Sequence, residues 1–376
     1  MKVLHVYSGN LYGGVERFLV TLARERAACP EMEPSFALCF EGPLSRELLE
    51  TSVPVEILGA ARASRPWTVL AARAALRRLL ERTTPDVALF HSAWPLALLG
   101  GAARVPTALF LHDAVHPHWT TALARRRRPA AVLCNSEYVA STARGPFAPT
   151  PVRACPLTVT QSILPTFDRL ALRIALGVQS PDEVVLLIAA RLERWKGHRL
   201  LLDALSRLRD DSRWRCWIAG GAQRRSEAAY LRELQSMAAA QGLSSRVHFL
   251  GQRGDVPQLM AAADVLCQPN EGPEPFGIAF VEAMLAGLPV VTTSMGGALE
   301  VVPPEAGLLV PPDATALAGA LAGLIASPER RAARGAAGAR HAATAFTPGR
   351  RLPELAAGLA ALSKLPRNAG AGYPPP

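Results

Sequence analysis

Short apolar runs alternate with amphipathic stretches from the first residues of this chain. "KVLHVY" (2–7) predicts a strand, and Gly13-Gly14 then opens a helix that runs to about residue 28. "SFALCF", "VEIL", "DVALF", "TALFLH", "AVLCNS" and "VRACPL" predict further strands. Between them lie segments such as 67–83, where Leu70, Ala74, Leu76, Leu79 and Leu80 recur at helical spacing. Nearly continuous apolar strands separated by helices predict a parallel sheet covered on both faces.

The pattern pauses near 160–180 and restarts. "EVVLLIAA" (183–190) is as apolar as the first strand. A helix at 198–209, strand "CWIAG", a helix at 226–241 closed by Gly242, strand "VHFLG", a helix at 256–262 and strand "DVLCQP" follow. In "NEGPEPFGIAFVEAM" (270–284) Pro275-Phe276-Gly277 are expected to begin a core-facing helix, which Gly287 and Pro289 stop. "PVVTT" is one more strand, and Asp313 caps a late helix. The fold class is therefore α/β: two Rossmann-like, doubly wound parallel-sheet domains in series. Residues 1–165 form the first domain and 166–349 the second. A helix at 350–366 packs back on the first domain, and 367–376 form a disordered tail. Ligands of such sheets bind at the carboxyl ends of the strands, so the expected site is a cleft that the two domains face.

Composition narrows the function. The chain has 376 residues, 49% of them hydrophobic, enough for two cores. Its 41 basic and 31 acidic residues give a net charge of +10, which suits anionic ligands or an acidic membrane surface. No nucleic-acid motif accompanies that charge. Only three lysines occur, at 2, 196 and 364, against 38 arginines. An internal lysine in so arginine-rich a chain marks a place for a compact point charge. The six cysteines contain no C-x-x-C pair, which argues against a metal knuckle or disulfide scaffold and favours the cytoplasm. The amino terminus does not read as a signal peptide. The weakly charged stretch 87–111 is broken by Pro95, Gly100, Gly101, Arg104 and Pro106, and reads as two strands around a short helix, not a membrane span.

Candidate chemistry sits at strand ends. "ARLERWKGHR" places Arg191 and Lys196 in a loop before a helix, a phosphate-binding arrangement, though ordinary surface cations read alike. Glu274 precedes the first turn of the next candidate helix, with Gly277 allowing close approach of a ligand to the backbone. Glu282 lies nearly two turns in, where an unpaired buried carboxylate would be costly. A vicinal diol suits it, and a buried salt bridge is the plain alternative. Gly296-Gly297 make a tight turn at another strand end. Spacing at Gly9, Gly13 and Gly14 excludes a dinucleotide fingerprint. In the first half, Gly13 and Gly14 expose backbone to a phosphate or an acceptor. "FLHDAVHPH" puts His112 and Asp113 at a strand end. A metal cluster of His112, Asp113, His116 and His118 matches no standard spacing, so no metal is assigned and His112 is read as a polar contact. The run Arg125–Arg128 is either a solvated face or a contact with anionic lipid.

Taken together, "AARLERWKG", "FLGQRGDVPQLMAAADVLCQP", "EPFGIAFVEAMLAGLPVVTTSMGGALEVV" and "GLLVPPDATALAGAL" resemble, in this order, the C-terminal half of family 4 glycosyltransferases. These are retaining enzymes of the GT-B fold, and Glu274 to Glu282 matches their E-x7-E signature. "YGGVERFLVTLARE" and "LFLHD" resemble the N-terminal half more loosely. The resemblance implies that Arg191 and Lys196 hold the diphosphate of a nucleotide-sugar and Glu282 its ribose. It implies that Glu274, with the amides around Phe276 and Gly277, contacts sugar and phosphates. His112 would touch the sugar, and Gly13 and Gly14 would approach the donor phosphate or the acceptor. The N-G-V-D-like element of many members is replaced here by "VTVTQSILPTFD".

The expected activity is retaining, metal-independent transfer of a hexose to a hydroxyl, on a sugar or lipid-linked acceptor, in polysaccharide or glycolipid synthesis. The nucleotide-sugar is a substrate and no cofactor is expected. Localisation is expected to be cytoplasmic, with peripheral contact at the inner membrane face as an option. A nucleotide-sugar epimerase of the GT-B fold and a non-catalytic nucleotide-sugar-binding subunit are the alternatives. Two close carboxylates also suggest a glycosidase, but these lie among phosphate-binding signals.

Overall fold

A computed structural model describes residues 1–9, 13–161, 166–222 and 224–365. Two compact units divide the chain. The first takes Met1–Val159 together with the segment from Phe346, and the second is Thr160–Ala345.

In the first unit strands and helices alternate: β1 (Lys2–Tyr7), α1 (Gly14–Arg24), β2 (Glu33–Leu38), α2 (Pro43–Leu49), β3 (Val55–Ile57), α3 (Pro66–Thr83), β4 (Val87–Phe90), α4 (Ala93–Leu99), β5 (Thr107–Leu111), α5 (Trp119–Arg126), β6 (Ala131–Cys134), α6 (Glu137–Phe147) and β7 (Val152–Ala154). The second unit has α7 (Arg169–Ala175), β8 (Val184–Ala189), α8 (His198–Ser206), β9 (Trp214–Ala219), α9 (Arg225–Ala240), β10 (Val247–Gly251) and α10 (Val256–Ala262). It continues with β11 (Val265–Gln268), α11 (Ile278–Leu285), β12 (Val290–Thr293), α12 (Ala298–Val301), β13 (Gly307–Val310), α13 (Ala314–Ile325) and α14 (Pro328–Ala345). The last helix, α15 (Pro348–Ser363), belongs to the first unit and packs near β4.

Both sheets are parallel. Their strand orders are β3-β2-β1-β4-β5-β6-β7 and β10-β9-β8-β11-β12-β13. Each is doubly wound, and the order reverses between β1 and β4 in one and between β8 and β11 in the other. Loops leaving those strands flank the crevice where such sheets bind ligands. The central strands are buried along their whole length, as their apolar runs require for a sheet covered on both sides. Phe36, Phe90, Phe110, Phe147, Trp214, Trp217 and Phe280 are the largest buried side chains among the described residues, each contributing roughly 1.5–3 kcal/mol through burial. All six cysteines are buried, free thiols. Burial pushes Cys39, Cys134, Cys155 and Cys216 up to about 12, so they act as small apolar fillers.

Helix starts follow local chemistry. Ser136 accepts from the Val139 amide at 3.1 Å, and Asp313 from the Thr315 and Ala316 amides at 2.9 and 2.8 Å. Helix α7 is held by buried charge: Arg173 donates to Asp264 at 2.9 Å and to the Ala262 carbonyl at 2.9 Å. Nearby, Arg215 and Glu183 form a bidentate pair with two 2.9 Å bonds. These ions lie at the amino ends of the strands, away from the ligand edge, and staple α7 to the sheet. Among the described residues, no helix is long and apolar enough to cross a membrane. The stretch 87–111 is β4, α4 and β5. The proposed tail at 367–376 lies outside the described residues.

Candidate active site

In the second unit the loop after β8 turns through a short 3-10 segment, Arg194–Lys196, into α8. Lys196 Nζ lies 2.8 Å from Glu274 Oε2 and 3.9 Å from the centre of the Trp195 ring. The same Glu274 oxygen accepts from Asn270 Nδ2 at 2.8 Å and Gln268 Nε2 at 3.2 Å. Gln268 Nε2 also donates to Asn270 Oδ1 at 3.1 Å. Two threonines of β12 fix the strand that carries these amides. Thr292 Oγ1 donates to the Gln268 carbonyl at 2.8 Å and Thr293 Oγ1 to the Asn270 carbonyl at 2.6 Å. Glu274 is thus a buried carboxylate whose Oε2 is held by a cation and two carboxamides. Arg191, with its side chain 40% exposed, pairs with Glu193 at 3.0 Å. Both cations expected to meet phosphate therefore stand on the one loop after β8, beside the β8/β11 switch point.

Glycines lock these loops together. Gly197 has φ +75°, and a Cβ there would lie 1.7 Å from the Pro269 carbonyl oxygen. Gly220 would meet the Ala190 oxygen at 2.0 Å. Gly296, at φ +64°, would meet the Glu274 backbone carbonyl oxygen at 2.5 Å, and the Gly297 amide donates to that carbonyl at 2.7 Å. The Glu271 amide donates to the Trp195 carbonyl at 2.7 Å. Gly197→Ala is expected to cost well over the roughly 1 kcal/mol of a left-handed alanine, because backbone meets backbone. Gly242→Ala is the control: its φ is +70° but no atom lies within 4 Å of the added Cβ. Thermal melts should show a much larger fall in Tm for Gly197→Ala than for Gly242→Ala.

Helix α11 begins at Ile278, later than expected, with Gly277 as its left-handed N-cap at φ +94°. Pro275 and Phe276 are held outside the helix because Glu274 forms a strand-like bridge with Gly296. Gly277 is demanded by the fold as well as by any ligand, since a Cβ would lie 2.3 Å from the Phe280 ring. Phe276 is buried. Glu282 is half-buried on α11, about 6 Å along the axis from its first residue. Glu300, in the four-residue helix α12, is exposed.

In the first unit Gly13 caps α1, and its amide donates to Glu16 Oε2 at 2.8 Å. Glu16 Oε1 accepts from the Tyr7 hydroxyl at 2.7 Å. An incoming anion would share the Gly13 amide with that carboxylate. Gly14 is the first residue of the helix. Asn10, Leu11 and Tyr12 lie outside the described residues. His112 follows β5 and is buried. Its Nε2 lies 3.1 Å from His91 Nδ1, and His91 Nε2 lies 2.8 Å from His5 Nδ1. The other ring atoms of "HDAVHPH" go elsewhere: His116 is exposed, and His118 caps α5 while bonding Thr120 Oγ1 at 2.7 Å. Among the described residues no three His, Cys, Asp or Glu side chains converge for a metal. Of the arginine run, Arg125, Arg126 and Arg128 face solvent. Arg127 turns inward to the Ala97 carbonyl at 3.1 and 3.2 Å, and burial beside Arg73 lowers its pKa.

Lys196 and Glu274, 78 positions apart, come into direct contact. The sequence reading missed Gln268, Asn270, Glu16, His5 and His91. A polar "QPN" at the end of an apolar strand was a usable signal for the first two.

Known proteins share the architecture that carries these loops. The family described as Glycosyl transferases group 1 matches residues 176–341, and Glycosyltransferase Family 4 matches residues 12–160. The chain is 33% identical over 316 residues to the GDP-mannose-dependent alpha-(1-6)-phosphatidylinositol monomannoside mannosyltransferase of Mycolicibacterium smegmatis, covering 75% of this chain and 79% of that one. It is 38% identical over 182 residues to the D-inositol 3-phosphate glycosyltransferase of Xylanimonas cellulosilytica, covering 47% and 42%. The crystal structure of Anabaena HepE with UDP and glucose superposes with a TM-score of 0.83 at 27% identity, covering 96% of this chain and all of that one. The two doubly wound sheets and their strand-end loops define a glycosyltransferase of the GT-B fold. The chain belongs to glycosyltransferase family 4.

Proposed function

We propose that this chain transfers a hexose, with retention and without a metal ion, from a nucleoside-diphosphate sugar to a hydroxyl of a sugar or lipid-linked acceptor. The observation that carries the reading is the Lys196–Glu274 contact, braced by Asn270 and Gln268 at the strand switch point. Lys196 and Arg191 take the donor diphosphate. As the anomeric C–O bond to phosphate breaks, they stabilise the charge growing on the leaving oxygens, the role a metal would otherwise fill. The acceptor oxygen bonds to the anomeric carbon on the same face, and its proton passes to a phosphate oxygen of the leaving group. No protein nucleophile is needed. Glu274, with Oε2 already accepting three bonds, serves as a fixed acceptor for sugar hydroxyls and as counter-charge to Lys196. The Phe276 and Gly277 amides border the same place. Glu282 takes the ribose diol, Gly13 and Gly14 offer backbone to donor phosphate or acceptor, and His112 is a substrate contact of the first unit.

Relatives act on GDP-mannose or are crystallised with UDP-glucose, which supports a nucleotide-sugar donor. The test is release of nucleoside diphosphate from GDP-mannose, UDP-glucose and other donors, with chelator present and the product anomer read by NMR. Strict need for a divalent ion sinks the metal-free step, and inverted product sinks retention. No release with any donor or acceptor would favour a binding subunit. Replacing Glu282 with alanine is expected to weaken donor binding about ten- to a hundredfold in calorimetry, with turnover at saturation little changed. For a lipid-linked acceptor, exposed Arg125, Arg126 and Arg128 are proposed to meet anionic headgroups at the cytoplasmic membrane face.

A further inference from the structure

Three histidines form one hydrogen-bonded row across the first sheet. His5 stands on β1, His91 directly follows β4 and His112 directly follows β5, three neighbouring strands. The ring planes lie within 18° and 19° of parallel and their centres are 5.1 and 5.4 Å apart, the spacing of rings met edge to edge, so the 2.8 and 3.1 Å contacts join nitrogens in the ring planes. Phe18, Phe36 and Phe110 surround the row. His5 and His91 are wholly buried, and His112 is 6% exposed. The outermost nitrogens, His5 Nε2 and His112 Nδ1, are buried and have no hydrogen-bond partner among the described residues.

A neutral imidazole carries one N–H, and each contact in the row needs one donor and one acceptor. Burial keeps all three rings neutral, with His5 and His112 lowered to about 3 and His91 well below its ordinary value. Only two arrangements satisfy both contacts. In one, every ring carries its proton on Nδ1, and His112 points a buried N–H away from the row. In the other, every ring carries it on Nε2, and His112 points a lone pair away from the row. A mixed set leaves two lone pairs, or two N–H groups, facing each other.

We propose that His5 and His91 are positioning residues that tie the tautomer of His112 to the row as a whole. His112 Nδ1, closed to solvent in the unliganded protein, is then a donor or an acceptor for a substrate hydroxyl or carbonyl that reaches it, without any ring becoming charged. This rests on the reading of His112 as a substrate contact, but the tautomer rule is a property of the unliganded protein.

The experiment uses two-bond proton–nitrogen correlation spectra of the full chain labelled with 15N-histidine at pH 7, assigned by single substitutions. His5, His91 and His112 are expected to show one shared neutral tautomer. A mixed set, or an imidazolium in the row, overturns the proposal whether or not the protein transfers sugar. His91→Phe, which keeps an aromatic ring but cuts the row, is expected to uncouple His112 from His5 and change the His112 signature. Turnover should fall about tenfold, the scale of one hydrogen bond. An unchanged His112 signature in a folded His91→Phe protein also overturns it. If that variant does not fold, the wild-type spectrum alone decides.

Discussion

Lowering the pH from 7 to 5 is expected to remove about 4 kcal/mol of stability through His5 and His112, with His91 adding in the same direction. Their pKa values in the folded chain lie well below the ordinary 6.5, because burial disfavours the charged ring. In the unfolded chain they titrate near 6.5. Below that pH the unfolded state binds protons that the folded state refuses. Stability is therefore fully present above about pH 6.5. It falls by roughly 1.4 kcal/mol per pH unit for each ring until the folded pKa, about 3 for His5 and His112, is reached. At pH 5 that is roughly 2 kcal/mol each for His5 and His112, a large share of the 5–15 kcal/mol typical of a whole domain, and His91 moves stability the same way. His198 in the second unit, lowered to about 4 by burial and by Lys196, moves stability in the same direction. Urea melts at pH 7, 6 and 5 measure the effect. His91→Phe should flatten the slope, since one of the three titrating rings is gone. An identical midpoint at pH 7 and pH 5 would show that the row is not held neutral.

Lys196→Ala carries the second large effect, and it acts on stability and activity at once. Its partner Glu274 is buried, with a side chain 9% exposed, and would keep only the two carboxamides. Removing one member of a buried pair typically costs about 3–5 kcal/mol, because the other charge remains. On the proposed function, turnover should fall about 10²- to 10³-fold through lost stabilisation of the leaving group. The double variant Lys196→Ala/Glu274→Ala separates the two effects: stability should partly recover, and activity should not. Lys196→Arg is expected to recover little turnover, since Trp195 closes one side of the ammonium and the Gly197 backbone lies against Pro269. Full turnover in Lys196→Ala would remove Lys196 from the proposed site.

Much of the sheet architecture was legible because buried parallel strands leave an unmistakable trace. "KVLHVY" and "VVLLIA" have no polar face to hide. Helix α14 was less legible. Its arginines, alanines and glycines give little amphipathic contrast, and its signal lay in "SPER", where Ser327 accepts from the Arg330 amide at 3.2 Å. That helix packs through its glycines, with Gly335 against the Gly287 carbonyl.

At the site, Glu274 and Lys196 could be picked out singly, because a charge at a strand end is conspicuous. What they touch could not be read from spacing. The bracing amides Gln268 and Asn270 look like ordinary strand-end residues until the chain turns back on itself. His5 and His91 were hidden for a related reason. A histidine inside an apolar strand breaks no period, and the row exists only because β1, β4 and β5 become neighbours in space. Gly277 was noticed for ligand approach and Gly296 for a tight turn. Gly197, Gly220 and Gly296 let one loop's backbone press on another's, which spacing alone does not reveal.

That interlocking has a consequence for redesign. The loops after β8, β11 and β12 share their walls, so each has the shape it does only while the others keep theirs. Exchanging one of them for a relative's loop would leave it without a matching neighbour. Altered donor preference is better sought by changing side chains on this frame, or by transplanting all three loops as a single cassette.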